Sequence, residues 1–217
     1  MFGLVKSLSP ARFAFGCWLA TGMACIPLDE FVQPYLTELG REPWLRSLAG
    51  QWQDLGGTFG ILLFLGAGLV TLPLDRGRNF MRFAICISTV GVAAQLVKHI
   101  VGRVRPHAAE DGTLFLGPLG IFNSGPSVPI DSMPSGHTAA AFAMATVLAL
   151  RWPMTRWTVY PLAIGVGIAR TLVDRHFPSD VALGSLLGTT LALAAWNWSR
   201  NIQRGDCAGA ESLEEAP

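Results

Sequence analysis

"NFMRFAICISTVGVAAQLVKHIVGRVRPH", residues 79–107, runs from a long apolar stretch straight into a basic one. As a helix its apolar part, to about residue 101, matches a bilayer core of about 30 Å, which takes about 20 residues to cross. The stretch then places Lys98, Arg103 and Arg105 ahead of Pro106. The whole chain shares the apolar character. Of its 217 residues 51% are hydrophobic and only 14% charged, with mean hydropathy +0.41, well above the balance of soluble proteins. This composition predicts an integral membrane protein. A formal net charge of +1 leaves no global basic field, which argues against a nucleic-acid partner.

Six segments are apolar enough for spans, near residues 11–28, 57–74, 79–101, 136–152, 157–176 and 180–198. The expected fold is therefore all-α, a polytopic six-transmembrane-helix bundle forming one domain over residues 1–204. Lys and Arg cluster before the first span, between the second and third, between the fourth and fifth, and after the sixth (Lys6, Arg12, Arg76, Arg78, Arg82, Arg151, Arg156, Arg200, Arg204). The positive-inside bias then places both termini in the cytoplasm and the 30–56, 99–135 and 177–179 connections outside. The apolar run after Lys6 and Arg12 ends at "IPLDEF" without a small-residue cleavage pattern, so it is read as a retained span. Trp44, Leu45, Leu48, Trp52 and Leu55 share a helical face, as an interfacial helix or a packed surface helix requires. The end, 205–217, "GDCAGAESLEEAP", is acidic and nonperiodic and is expected to be a disordered tail. Cys17, Cys25, Cys86 and Cys207 lack CxxC spacing, which predicts neither disulfides nor a zinc site.

Three polar clusters fall at span ends that share one face of an up-and-down bundle. By charge counting it is the outer face, so the cations there run against the orientation bias and need a local reason; a bound anion supplies one. Lys98 and Arg105 are spaced i, i+7, on one face of a continuing helix, with Arg103 pointing elsewhere and Pro106 fraying the end. "PSGH", 134–137, offers Ser135 as N-cap and Gly136 as a point of close approach, so the free amides of the next helix start make an anion cradle. In "ARTLVDRHFPSD", 169–180, Pro178 is expected to end the fifth span after His176, and Ser179 or Asp180 to cap the sixth. Asp180 is then placed to accept a hydrogen bond from one His176 nitrogen, leaving the other nitrogen's lone pair free to attack. Each cluster taken alone also suits a purely structural role, as snorkelling cations, a capped helix start or a polar hairpin network.

Together, Lys98 with Arg105-Pro106, then Pro134-Ser135-Gly136-His137, then Arg170 with His176 and Asp180, closely resemble the three signature blocks of the type 2 phosphatidic acid phosphatase superfamily. Ala169 departs from the serine that many members carry before the arginine. The resemblance implies a metal-independent phosphatase without cofactors. His176 would be the nucleophile, Asp180 its orienting partner, and His137 the general acid and then base. Lys98, Arg105, Arg170 and the amides around Ser135 and Gly136 would hold the phosphoryl oxygens, positioning and neutralising charge as phosphoryl transfer demands.

A site at the ends of membrane helices suits a phosphate carried by a membrane lipid. The family's substrates leave phosphatidic acid, phosphatidylglycerol phosphate, undecaprenyl diphosphate and lipid A phosphates open. The outer loop between the first two clusters is the expected seat of headgroup selection. A bacterial inner membrane, with the site on its periplasmic face, is the expected location. A lipid-linked phosphotransferase would use the same residues with an acceptor other than water. An anion or lipid transporter would need the cations but not the histidine pair.

Overall fold

The computed structural model describes residues 10–70, 76–109, 115–118 and 129–214. Its α-helices are α1 (Pro10–Ala24), α2 (Ile26–Leu39), α3 (Pro43–Asp54), α4 (Thr58–Val70), α5 (Arg76–Val101), α6 (Gly136–Arg151), α7 (Arg156–Leu172) and α8 (Pro178–Glu214). Among the described residues there is no strand, only an isolated bridge between Arg103 and Phe115. The all-α expectation therefore holds. Among the described residues two helical stretches, Phe80–Val101 and Pro178–Ser199, are long and apolar enough to cross a membrane by themselves. α1, α4, α6 and α7, of 15, 13, 16 and 17 residues, overlap the other four expected spans. α8 is helical through Glu214, past residue 205 where composition led us to expect a disordered tail.

The helices sort their residues by surroundings. Along α5, Phe83, Cys86, Val90 and Ala94 are buried, while Val92, Leu96 and Ile100, spaced i, i+4, i+8, are about 60% exposed. A helix that buries one apolar face and presents another to its surroundings suits lipid rather than water. Phe64 of α4 stacks on Phe83, ring centroids 4.4 Å apart. Both belong to a core shared with Ala139 and Ala143 of α6 and Ala192 and Trp196 of α8.

α6 and α8 meet almost backbone to backbone. A Cβ on Gly188 would lie 2.1 Å from the Ala139 carbonyl oxygen, and one on Gly184 2.6 Å from that of Ser135. Glycines four apart give α8 a groove for the other helix, the small-residue contact typical of membrane helix pairs.

α3 packs one part of its apolar face and leaves another exposed. Leu45, Ala49 and Trp52 pack with Ala169 and Leu172 of α7, and the Trp52 ring lies where a Cβ on Gly165 would fall, 2.2 Å away. Trp44 and Leu48 stay exposed, so only part of the stripe is spent on packing. α2, which sequence reading left in the first span and the loop after it, is fastened to the α7–α8 turn. There Gln33 Nε2 and Thr37 Oγ1 donate to Asp174 Oδ1 at 2.8 and 2.9 Å.

Candidate active site

The first cluster departs from a continuing helix. α5 stops at Val101 because Gly102 takes φ +57°, a left-handed conformation natural to glycine, and donates its N–H to the Lys98 carbonyl at 2.8 Å. Arg105 is extended, as the residue before a proline should be. Lys98 and Arg105 nevertheless meet, at a carboxylate that sequence reading passed over. Arg105 Nε and Nη2 donate to Asp131 Oδ1 and Oδ2 at 2.8 and 2.7 Å, and Lys98 Nζ lies 3.7 Å from Oδ2. Burial alone would raise the Asp131 carboxyl. The hydrogen bond and charge of Arg105, with the charge of Lys98, outweigh it and hold the group below its ordinary value.

Arg103 does point elsewhere, into the protein. It is fully buried, with Nη1 donating to Asp180 Oδ1 at 2.6 Å and to Ser179 Oγ at 2.7 Å, and Nη2 to Asp29 Oδ2 at 2.8 Å. The Phe177 ring lies against its guanidinium at 4.0 Å. Asp29 also accepts from the backbone N–H and hydroxyl of Ser179. A cation between two carboxylates, with the remaining lone pairs bonded, meets the condition under which buried charge is tolerated.

The second cluster opens α6 at Gly136, with Ser135 in the N-cap position. Its hydroxyl does not cap the helix but accepts from Thr138 Oγ1 at 2.9 Å. The Ser135 N–H is committed to the Asp180 carbonyl at 3.0 Å. Any amide cradle must therefore begin at Gly136, where the first turn's N–H groups lack intrahelical acceptors. Lys98 Nζ lies 3.8 Å from where a Gly136 Cβ would be, so its ammonium faces that helix start. The His137 ring packs by the α3–α4 turn, its Nε2 3.3 Å from the position of a Gly57 Cβ.

The third cluster also corrects the expectation. α7 ends at Leu172, and His176 lies in the following turn, its N–H bonded to the Arg170 carbonyl at 3.3 Å. α8 begins with Pro178 in its first turn, and neither Ser179 nor Asp180 is its cap. Asp180, three residues in, reaches back to accept the Phe177 N–H at 2.9 Å, the return half of a capping box. Asp180 is not the direct hydrogen-bond partner of His176 either, since its Oδ2 lies 3.8 Å from Nδ1. Nδ1 is 2.7 Å from the Ser132 carbonyl, while the Ser132 hydroxyl donates to Asp180 Oδ2 at 2.6 Å. A carbonyl can only accept, so Nδ1 carries the proton and Nε2 keeps its lone pair. Ser132 thus stands between the histidine and the aspartate.

Arg170 Nη1 donates to Gln53 Oε1 of α3 at 2.5 Å. Among the described residues its buried Nε–H has no acceptor, an arrangement that costs about 1–3 kcal/mol unless a ligand supplies one. Lys98 faces the start of the helix that carries His137 and meets Arg105 at Asp131, Ser135 N–H bonds the Asp180 carbonyl and His176 N–H that of Arg170, so the three clusters share one neighbourhood. A cavity of about 500 Å³ beside Pro106 and Phe177 is lined by Glu30, Gln33, Thr37 and Asp174, not by the histidines. Sequence reading missed Asp29, Asp131, Ser132 and Gln53, and the partners of Arg103. Two signals were visible: a carboxylate closing the first apolar run, and another three residues before Pro134. Much of the outer loop expected to select headgroups, 110–114 and 119–128, lies outside the described residues.

Residues 79–204 match the family model described as the PAP2 superfamily. A lipid A 1-phosphatase of Rhizobium johnstonii is 35% identical over 118 residues, 54% of this chain and 43% of that protein. The bacitracin transport permease protein BcrC of Bacillus licheniformis is 32% identical over 140 residues, 61% of this chain and 64% of that one. The chain spans less than half the length of the Rhizobium relative. In fold it is similar to the transmembrane PAP2 type phosphatidylglycerolphosphate phosphatase from Bacillus subtilis, with TM-score 0.63 and 22% identity over 88% of this chain and 94% of that one. With a family model matched over more than half its length, and all three signature blocks inside or beside one polar neighbourhood, the chain belongs to the PAP2 superfamily.

Proposed function

We propose that the protein is an integral membrane lipid phosphatase, with six spans, both termini cytoplasmic and the site on the outer face of a bacterial inner membrane. One observation carries the chemistry: the Ser132 carbonyl holds the proton on His176 Nδ1, which leaves the Nε2 lone pair available near Lys98 and Arg170. In the first step Nε2 attacks phosphorus, an N–P bond forms, and the P–O bond to the lipid breaks. Protonated His137 gives its proton to the departing oxygen. In the second step His137 takes a proton from water, the hydroxide attacks phosphorus, and the N–P bond breaks to release phosphate. Asp180 stabilises the positive imidazole through Ser132 rather than by direct contact. Lys98, Arg105, Arg170 and the amides from Gly136 onward neutralise the spreading oxygen charge.

The test is phosphate release in detergent from phosphatidic acid, phosphatidylglycerol phosphate, undecaprenyl diphosphate and lipid A, with His176→Ala as the blank. Release from at least one lipid, unchanged by EDTA and inhibited by orthovanadate, is the expected result. Inhibition by EDTA that magnesium reverses would overturn the metal-independent chemistry. Transfer to another acceptor without free phosphate would overturn hydrolysis.

A further inference from the structure

We propose that Asp131 is a specificity-determining residue, an internal carboxylate that occupies the Arg105 fork and yields it to a phosphate monoester but not to a phosphodiester. The inference rests on the lipid phosphatase reading and deepens it by naming how substrate is told from bulk lipid.

The backbone that carries Asp131 is pinned on both sides. Arg105 N–H donates to the Pro129 carbonyl and Ser132 N–H to the Arg103 carbonyl, each at 3.0 Å, and the Ser132 carbonyl holds His176. The carboxylate cannot drift away, so its local concentration at the fork is that of a tethered ligand. Its side chain is 47% exposed, whereas those of Arg105 and Lys98 are 16% and 9% exposed. Rotation of one exposed side chain is thus enough to clear the fork. A planar carboxylate taking two guanidinium N–H groups uses the same geometry as two phosphoryl oxygens.

Charge decides which ligand wins the exchange. A phosphodiester headgroup carries one negative charge, no more than the carboxylate it must displace, and Asp131 has the advantage of the tether. A terminal monoester carries close to two, so its attraction to Lys98, Arg105 and Arg170 is about twice as large at the same distance. In a membrane where diesters outnumber monoesters, this threshold keeps the site from filling with lipids it does not cleave.

The experiment compares the wild type, Asp131→Asn and Asp131→Ser in detergent micelles. It measures inhibition by phosphatidylglycerol, a diester, and by inorganic phosphate at pH 8, and binding of both by calorimetry. Both variants should bind phosphatidylglycerol at least about tenfold more tightly, the order of one close, partly screened charge interaction. Inorganic phosphate should tighten by a similar factor, because one tethered competitor weakens every ligand of the fork alike, and the wild type should bind inorganic phosphate more tightly than phosphatidylglycerol. Phosphatidylglycerol binding to the wild type as tight as that of inorganic phosphate, unchanged phosphatidylglycerol binding in the variants, or weaker binding of both ligands would each overturn the proposal; the last would make Asp131 a support for Arg105 only. If the wild type releases phosphate from no lipid, the phosphatase reading fails, while the calorimetric comparison still decides the role of Asp131.

Discussion

His176 depends on an atom that carries no sequence signature, the backbone oxygen of Ser132. Replacing the imidazole removes the nitrogen proposed to attack, so His176→Ala should lower phosphate release by at least about a thousandfold while a folded protein is still purified. Ser132→Ala keeps the carbonyl but deletes the hydroxyl that links Asp180 to it. Arg103→Ala leaves Asp29 and Asp180 buried without their cation, and should destabilise by about 3–5 kcal/mol, read as a lowered melting temperature. The half-exposed Asp131 gives a pH-dependent effect whose sign is fixed. Its carboxyl is held below the ordinary value, so its contribution to stability is fully present above about pH 4 and is lost as pH falls through the lowered one. The melting-temperature gap between the wild type and Asp131→Asn should accordingly be constant at neutral pH and shrink in acid. Lys98, Arg105, His137, Arg170 and His176 were legible because their spacing forms a known pattern. Arg103 was not, since its partners lie 74 and 77 residues away and nothing local marks the pairing.

At the scale of elements, hydropathy located the helices better than it located their ends. It placed α5 closely, yet it carried α7 four residues too far, because Val173 to His176 are held by turn hydrogen bonds that hydropathy does not sense. Pro106 was read as the breaker, yet Gly102 broke α5 before Pro106 was reached. The α6–α8 contact was invisible in sequence because it depends on what Gly184 and Gly188 lack. Gly188→Leu should push the two helices apart and lower stability by at least about 1–3 kcal/mol, seen in a thermal melt in detergent. Gly57→Ala is gentler. Its methyl would sit 3.3 Å from His137 Nε2, so turnover should fall with little change in melting temperature.

At the scale of the whole molecule, charge bias gives an orientation that labelling can test. In a chain freed of its own cysteines, His107→Cys should react with an impermeant maleimide on intact spheroplasts, and Met154→Cys only after permeabilisation. Both positions are exposed, so burial cannot mimic the result. The reverse pattern would place the histidines in the cytoplasm. The all-α architecture followed from composition, and periodicity registered the apolar stripe by which α3 packs, but the attachment of α2 did not follow, because single polar side chains, Gln33 and Thr37, make it and periodicity does not register them. The seam at Gly184 and Gly188 has one more effect. Helix pairs separated by layers of long side chains can be squeezed or splayed by lateral pressure, whereas carbonyls resting on glycines leave nothing soft between α6, which carries His137, and α8, which follows directly on the turn of His176. Turnover in proteoliposomes should therefore vary little as acyl chains are lengthened from 14 to 20 carbons, roughly the range over which tilt absorbs mismatch.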